Sequence, residues 1–378
     1  MMQDQLDQRL QSYAAWRDKL IHTIQCFQSW LEDHELASPE QEFRIFETID
    51  ALRKDRLTIA FVAEFSRGKT ELINALFFAH YGQRLLPSEA GRTTMCPTEL
   101  FYDRDSNAAY IHLLPIETRL QSQSIAEFKH EPLHWTQINL QVDNTDQVAK
   151  ALHEVIKTKQ VALEKARELG LYDENTDPYF RAHGKSPDQV EIPYWRHALI
   201  SFPHELLKQG LVVLDTPGLN AMGSEPELTL NMLPAAQAVM FLLGADTGVT
   251  RSDMEMWEHH VRSIRQQANR NLVVVLNKID TLWDELKDAA DISASIEAQR
   301  NSSAEQLQVD NEQVFPLSAQ KALIAKIRQD QQLLQDSRLP QLERFLAETV
   351  LPAKQAIVHD KLVSQIGGLI DDNLAILE

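Results

Sequence analysis

Cysteine is nearly absent: the 378-residue chain has only Cys26 and Cys96, far apart in sequence. That excludes a disulfide scaffold and a CxxC metal or redox pair, and suits a reducing compartment such as the cytoplasm. Long apolar runs are missing too. No stretch of about 18 apolar residues occurs, and Met1-Met2-Gln3-Asp4-Gln5-Leu6 carries no basic segment leading into an apolar core. Any membrane contact is then expected to be peripheral or made by segments beyond this chain. Positive charge is in deficit, with 37 Lys and Arg against 55 Asp and Glu and a net charge of −18. Nucleic-acid backbones are held by clustered Lys and Arg, so no nucleic-acid partner is expected. His259 and His260 are adjacent rather than one helical turn apart, so they do not face one metal. What remains, 43% hydrophobic and 24% charged residues, is ordinary for a soluble globular chain.

One stretch organises the rest. The apolar run Leu57 to Val62 reads as a buried strand, and Leu72-Ile73-Asn74-Ala75-Leu76-Phe77 reads as a helix. Between them lies Ala63-Glu64-Phe65-Ser66-Arg67-Gly68-Lys69-Thr70. A strand feeding a loop that ends Gly-Lys-Thr and opens a helix cradles a nucleoside triphosphate on backbone N–H groups. Glu64 to Thr70 are the expected phosphate-binding residues. Lys69 reaches the β- and γ-phosphates, and the Thr70 hydroxyl holds Mg²⁺. Ala63 stands where the first glycine of GxxxxGK[ST] is usual, which is tolerable only if its backbone stays out of the left-handed region.

Further motifs follow in order. Leu86 to Thr98 is small, polar and proline-containing, and reads as a mobile loop whose Thr93 and Thr94 both offer a hydroxyl for Mg²⁺. Leu211-Val212-Val213-Leu214 delivers Asp215-Thr216-Pro217-Gly218, in which Asp215 holds Mg²⁺ through water and Gly218 lets an N–H approach the γ-phosphate. Leu219 cannot orient a water, so hydrolysis must be organised by another group. Leu272 to Leu276 leads into Asn277-Lys278-Ile279-Asp280. A carboxylate at Asp280 matches the donor pair of guanine, for which adenine has no counterpart. Asn277 ties this loop to the phosphate loop, the Lys278 stem covers the ring, and the backbone at Ser318-Ala319 meets the guanine oxygen.

Around these motifs, residues 1 to about 33 repeat apolar positions at helical spacing, interrupted by Arg17. A second helix starts at Ser38-Pro39 and runs to about Leu52. Roughly 120 residues separate Thr94 from Asp215. In that insertion the pattern predicts a strand over Ala108–Leu114, one helix over about Asp146–Leu169 and a strand over Ile192–Pro203, with Trp195 and His197 as packing residues. From Pro340 the helical pattern returns, kinked at Pro352 and weakened at Gly367-Gly368, and it stops uncapped at Glu378, as expected of the N-terminal portion of a longer protein.

With these motifs assembled, the chain resembles the bacterial dynamin-like large GTPases over residues from about 57 to 350. The resemblance rests on Ser66 in the phosphate loop, on Thr94 in a Thr-x-x-Pro switch closed by Pro97, and on Asp215-Thr216-Pro217-Gly218 with no Gln after it. The long insertion and the flanking helices complete it. It implies an α/β, three-layer P-loop GTPase fold with a mostly parallel central sheet, flanked by N- and C-terminal helices that form a neck bundle. The neck would take residues 1–55 and 336–378, and the GTPase domain residues 56–335, with its insertion at about 100–205. The resemblance also implies that Ser66 stabilises the transition state, with K⁺ or Na⁺ as an aid, that Thr94 positions the catalytic water, and that the loop Asp246–Asp253 meets its counterpart in a homodimer or heterodimer of heads. Arg67 is either an arginine finger or a salt-bridged residue. The implied function is GTP hydrolysis coupled through head dimerisation to conformational change and membrane remodelling, from the cytoplasm or the inner face of the membrane. Two alternatives are a slow or non-hydrolysing GTP switch for a partner protein and an RNA or ribosome-assembly GTPase.

Overall fold

The apolar stripe of the first helix fixes what it packs against. In α1 (Gln3–Asp33) Tyr13, Arg17, Ile24 and Leu31 are buried on one face, joined by Trp16, Leu20, Ile21 and Phe27. Ile45, Ile49 and Leu52 of α2 (Pro39–Arg53) close on that stripe. Arg17, which breaks the apolar pattern, is itself buried and pairs with Asp18 at 3.2 Å. Residues Leu346–Val350 also lie against α1. These helices belong to one compact unit, Met1–Leu57 with Glu343–Glu378, and Thr58–Leu342 form a second. The computed structural model describes residues 3–34, 39–53, 56–86, 96–172, 174, 186–208, 210–216, 233, 236, 238–262, 271–284 and 286–350. Ser38, Thr93, Thr94, Pro217, Gly218, Leu219, Pro352 and Gly367-Gly368 lie outside the described residues.

The second unit is built on a nine-stranded sheet in the order β11-β10-β9-β1-β8-β2-β7-β3-β4. The strands are β1 (Leu57–Ala63), β2 (Thr98–Phe101), β3 (Tyr110–Pro115), β4 (Thr136–Asn139), β7 (Trp195–Ser201), β8 (Leu211–Asp215), β9 (Ala238–Gly244), β10 (Asn271–Asn277) and β11 (Val314–Pro316). β1, β9, β10 and β11 pair in parallel. Their nearly continuous apolar runs are what a parallel strand covered on both faces requires. Alternation along them serves two layers. Ala60, Val62, Phe241 and Leu276 face a core that includes Met256 of α5 (Arg251–Met256), Trp257, and Ile296 and Leu307 of α6 (Ala289–Leu307). Phe61 points the other way, edge-on to Phe77 in the turn that follows α3 (Lys69–Ile73), and α7 (Ala319–Arg328) packs there. The result is a three-layer α/β unit.

The insertion supplies β2, β7, β3 and β4. β2 is antiparallel to β8 but parallel to β7, and β3 is antiparallel to β7 and β4. Two expectations are corrected here. The helix foreseen over Asp146–Leu169 is interrupted: α4 (Thr145–His153) gives way at Lys157 to β5 (Thr158–Ala162), and only Leu163–Glu168 is helical again. β5 pairs antiparallel with β6 (Gln189–Pro193) in a separate two-stranded sheet, so a partner some 30 residues away overrides local helical propensity. The strand foreseen over Ile192–Pro203 likewise splits at Tyr194 into β6 and β7. Trp195 and His197 are buried as packing residues, and each also has a polar partner: the indole donates to the Glu154 carbonyl, and His197 Nε2 meets Glu99 Oε1 at 3.1 Å.

A largely buried carboxylate, Glu99, and a buried imidazole, His204, make this unit acid-sensitive. Burial alone would raise the Glu99 carboxyl, but the His197 hydrogen bond and Lys129 outweigh it and hold it at about 2. Burial pushes His204 down to about 3, helped by the charges of His80, Lys326 and Lys208. Its Nδ1 accepts the Leu206 N–H, a role open only to the neutral ring. The unfolded chain binds a proton at His204 below about pH 6.5 and at Glu99 below about pH 4.5, while the folded chain takes up neither until about pH 3 and pH 2. Stability therefore falls with pH through both windows, by up to ~1.4 kcal/mol per pH unit per group. His204→Asn, which keeps a cap acceptor, should flatten the loss between pH 6.5 and 4.5 in urea unfolding. An unchanged slope there would refute the assignment.

Candidate nucleotide site

The three motifs follow the carboxyl ends of β1, β8 and β10, where open α/β sheets bind ligands. Ala63 remains in β1, paired with Leu242, and it is not among the residues with positive φ. The left-handed positions of the loop are instead Ser66, at φ 61°, and Gly68, at φ 83°. Gly68 is doubly required, because a Cβ there would lie 2.3 Å from Asn277 Nδ2. Glu64 is half-buried and Phe65 exposed, while Lys69 and Thr70 are buried at the start of α3. Lys69 Nζ sits 3.0 Å from Asp215 Oδ1.

A hydrated Mg²⁺ site needs one or two protein oxygens, with phosphates supplying the rest. Thr70 Oγ1 is buried without a hydrogen-bond partner and shares a pocket wall with Asp215, so the residues present fit that ion. Among the described residues no group of three or more His, Cys, Asp or Glu is placed to bind a metal unaided. Sequence reasoning had passed over Thr216, which anchors this strand end: its hydroxyl is buried and donates to the Phe61 carbonyl at 2.8 Å.

Asn277 joins the site together. Its Nδ2 donates to the Arg67 carbonyl at 2.8 Å, and its Oδ1 accepts the Ala319 N–H at 2.9 Å. Lys278 takes a left-handed conformation, φ 66°, and Asp280 follows in a short 3₁₀ turn, Ile279–Leu282. The N–H groups expected to meet the guanine oxygen are engaged internally, Ser318 to the Ser337 carbonyl and Ala319 to Asn277. The Ser318 hydroxyl caps α7 by accepting the Lys321 N–H.

The Arg67 side chain runs to the segment Thr247–Asp253. Nε and Nη2 donate to the two oxygens of Asp253 at 3.2 and 2.7 Å, Nη1 donates to Thr247 Oγ1 at 2.7 Å, and Nη2 donates to Thr250 Oγ1 at 3.2 Å. Asp253 is fully buried, so withdrawing the guanidinium would leave an unpaired carboxylate at a cost of about 3–5 kcal/mol. That rules against a finger that swings to the phosphates. The one local sign of Asp253 in the sequence is Thr250-x-x-Asp253, which forms a capping box at α5.

The family model described as the dynamin family matches residues 59–279, more than half of the chain. The chain belongs to the dynamin family. Among curated relatives, the bacterial dynamin-like protein of Nostoc punctiforme is 24% identical over 213 residues, 52% of this chain and 30% of its own length. The isoniazid-induced protein IniA of Mycobacterium tuberculosis is 31% identical over 174 residues, 44% of this chain and 24% of its own. A solved bacterial dynamin, described as an oligomerised pair for long-range sensing and tethering of membranes, superposes with a TM-score of 0.51 at 16% identity. That superposition covers 97% of this chain and 50% of the solved one, and it shows the dynamin GTPase fold. The chain thus spans half or less of these relatives. Among the described residues no helix is long and apolar enough to cross a membrane.

Proposed function

We propose that this dynamin-family chain binds GTP with Mg²⁺, hydrolyses it, and couples pairing of two heads to movement at a membrane surface. The observation that carries the reading is Asn277, whose two hydrogen bonds lock the base-reading turn onto the phosphate loop and the Ala319 helix. Asp280 then accepts from the guanine N1–H and amino group, and the Lys278 stem covers the ring. Gly68, Lys69 and Thr70 present N–H groups to the phosphates at the amino end of α3, and Lys69 exchanges Asp215 for phosphate oxygens. Thr70, Asp215 and Thr94 would hold Mg²⁺, which when bound neutralises phosphate charge. Ser66 would stabilise the transition state, with K⁺ or Na⁺ as an aid, Thr94 would hold the attacking water, and the Gly218 N–H would meet the γ-phosphate. Membrane action and head pairing, in a homodimer or heterodimer, draw their support from the family and from the description of the solved bacterial pair.

The test is GTP turnover per molecule across a protein-concentration series with Mg²⁺, with K⁺ and Na⁺ exchanged, beside Ser66→Ala. Specific activity should climb with concentration and fall by about a hundred-fold or more in the variant, the scale of losing one transition-state donor. Tight GTP binding with flat, near-zero turnover would replace this reading with a GTP-dependent switch for a partner protein.

A further inference from the structure

The loop from Glu64 to Thr70 is tied to a distant segment of the chain by the Arg67 side chain. Arg67 lies between the two left-handed residues of the loop, Ser66 and Gly68. Its carbonyl is fixed by Asn277, and all three guanidinium nitrogens donate to the segment Thr247–Asp253. That segment is shaped to receive it. Asp253 Oδ2 also accepts the Thr250 N–H and hydroxyl, at 2.9 and 2.7 Å. Gly244 leaves the space that Asp246 fills, since a Cβ there would lie 2.3 Å from Asp246 Oδ1 and 3.4 Å from Arg67 Nη1. The far end of the segment returns to the base-reading turn: Lys278 Nζ meets Asp246 Oδ2 at 2.9 Å, and the Ala245 N–H donates to the Asn277 carbonyl.

We propose that the buried Arg67–Asp253 pair is a positioning device for the reaction, setting the angle of Ser66 by clamping its neighbour to the 244–253 segment. This rests on the GTPase reading above. Were the side-chain clamp lost, the Asn277 bond would still hold the Arg67 main chain, and the N–H groups of Gly68, Lys69 and Thr70 would still be set by α3. Binding of the diphosphate should therefore survive, while the orientation of Ser66, the residue next to the lost anchor, should not. Misplacing a reacting group by a fraction of its contact distance costs rate far more than affinity. Arg67 and Asp253 thus act through Ser66 and do not touch the phosphates.

The test uses Arg67→Lys, which keeps the charge but not the fork, Asp253→Asn, which keeps the shape but not the charge, and Arg67→Ala. GTP kcat, GDP affinity and the thermal midpoint are measured for each beside the unaltered chain. Expected are a drop in kcat of about ten- to hundred-fold, GDP affinity within about three-fold, and partial recovery of Arg67→Ala turnover by millimolar guanidinium. A kcat within two-fold of the unaltered chain in both conservative variants overturns the proposal. So does a parallel fall of kcat, GDP affinity and midpoint, which would mark a purely structural pair. If the unaltered chain shows no GTP turnover, the functional reading itself fails and takes this proposal with it.

Discussion

Gly68→Ala should lower affinity for both GTP and GDP by at least about a hundred-fold. An alanine at φ 83° carries ~1–2 kcal/mol of left-handed strain. Asn277 adds to that cost, because its Nδ2 would lie 2.3 Å from the new Cβ. Moving that amide breaks its bond to the Arg67 carbonyl and disturbs its bond from Ala319, at about 1 kcal/mol each. The variant loop relaxes to escape these costs, and nucleotide binding must then restore the competent conformation, so at 1.4 kcal/mol per factor of ten the sum becomes an affinity loss of about two decades. Gly82→Ala is the control. Gly82 also has positive φ, 71°, but a Cβ there meets nothing within 4 Å, so it should carry the strain without the affinity loss. Titration with a fluorescent GDP analogue decides the matter, and Gly68→Ala binding within three-fold of the unaltered chain would remove Asn277 from its bridging role.

Asp280→Asn should exchange the base preference. Guanine offers a donor pair, N1–H and the 2-amino group, to a carboxylate, and charge assistance makes that fork strong. An amide keeps one acceptor and sets its NH₂ against the guanine amino group. A site built to hydrogen-bond a substrate donor can discriminate by about 10⁴-fold, so loss of one acceptor should lower GDP affinity by at least about a hundred-fold. Xanthosine diphosphate, with a carbonyl at that position, should bind the variant better than it binds the unaltered chain. Competition between the two diphosphates reads this directly. A variant that still prefers GDP would mean that Asp280 does not read the base.

Features that depend on short spans of chain were legible in the sequence. Each of the three motifs sits at the end of a strand with a nearly continuous apolar run, and strand plus turn is a local signal. The α1 stripe and the Pro39 start of α2 were legible for the same reason. What depends on a distant partner was not. Nothing around Lys157 announces β5, because that strand exists only through its pairing with β6. Nothing beside Arg67 announces Asp253, 186 residues later. The engagement of the Ser318 and Ala319 N–H groups likewise follows from Ser337 and Asn277, which meet that turn only in the folded unit. Ala63 shows the same limit from the other side: the motif spacing raised a question that only the backbone angles answered, by placing the left-handed residue at Ser66.

The pairing of β2 with β8 sets Thr98 opposite Asp215. Pro97, which leads into β2, and Thr216, which follows β8 and bonds to Phe61, therefore flank a single rung of the sheet. Positions more than a hundred residues apart in the chain thus meet at one backbone pairing, and the Lys69–Asp215 ion pair is anchored at that same point.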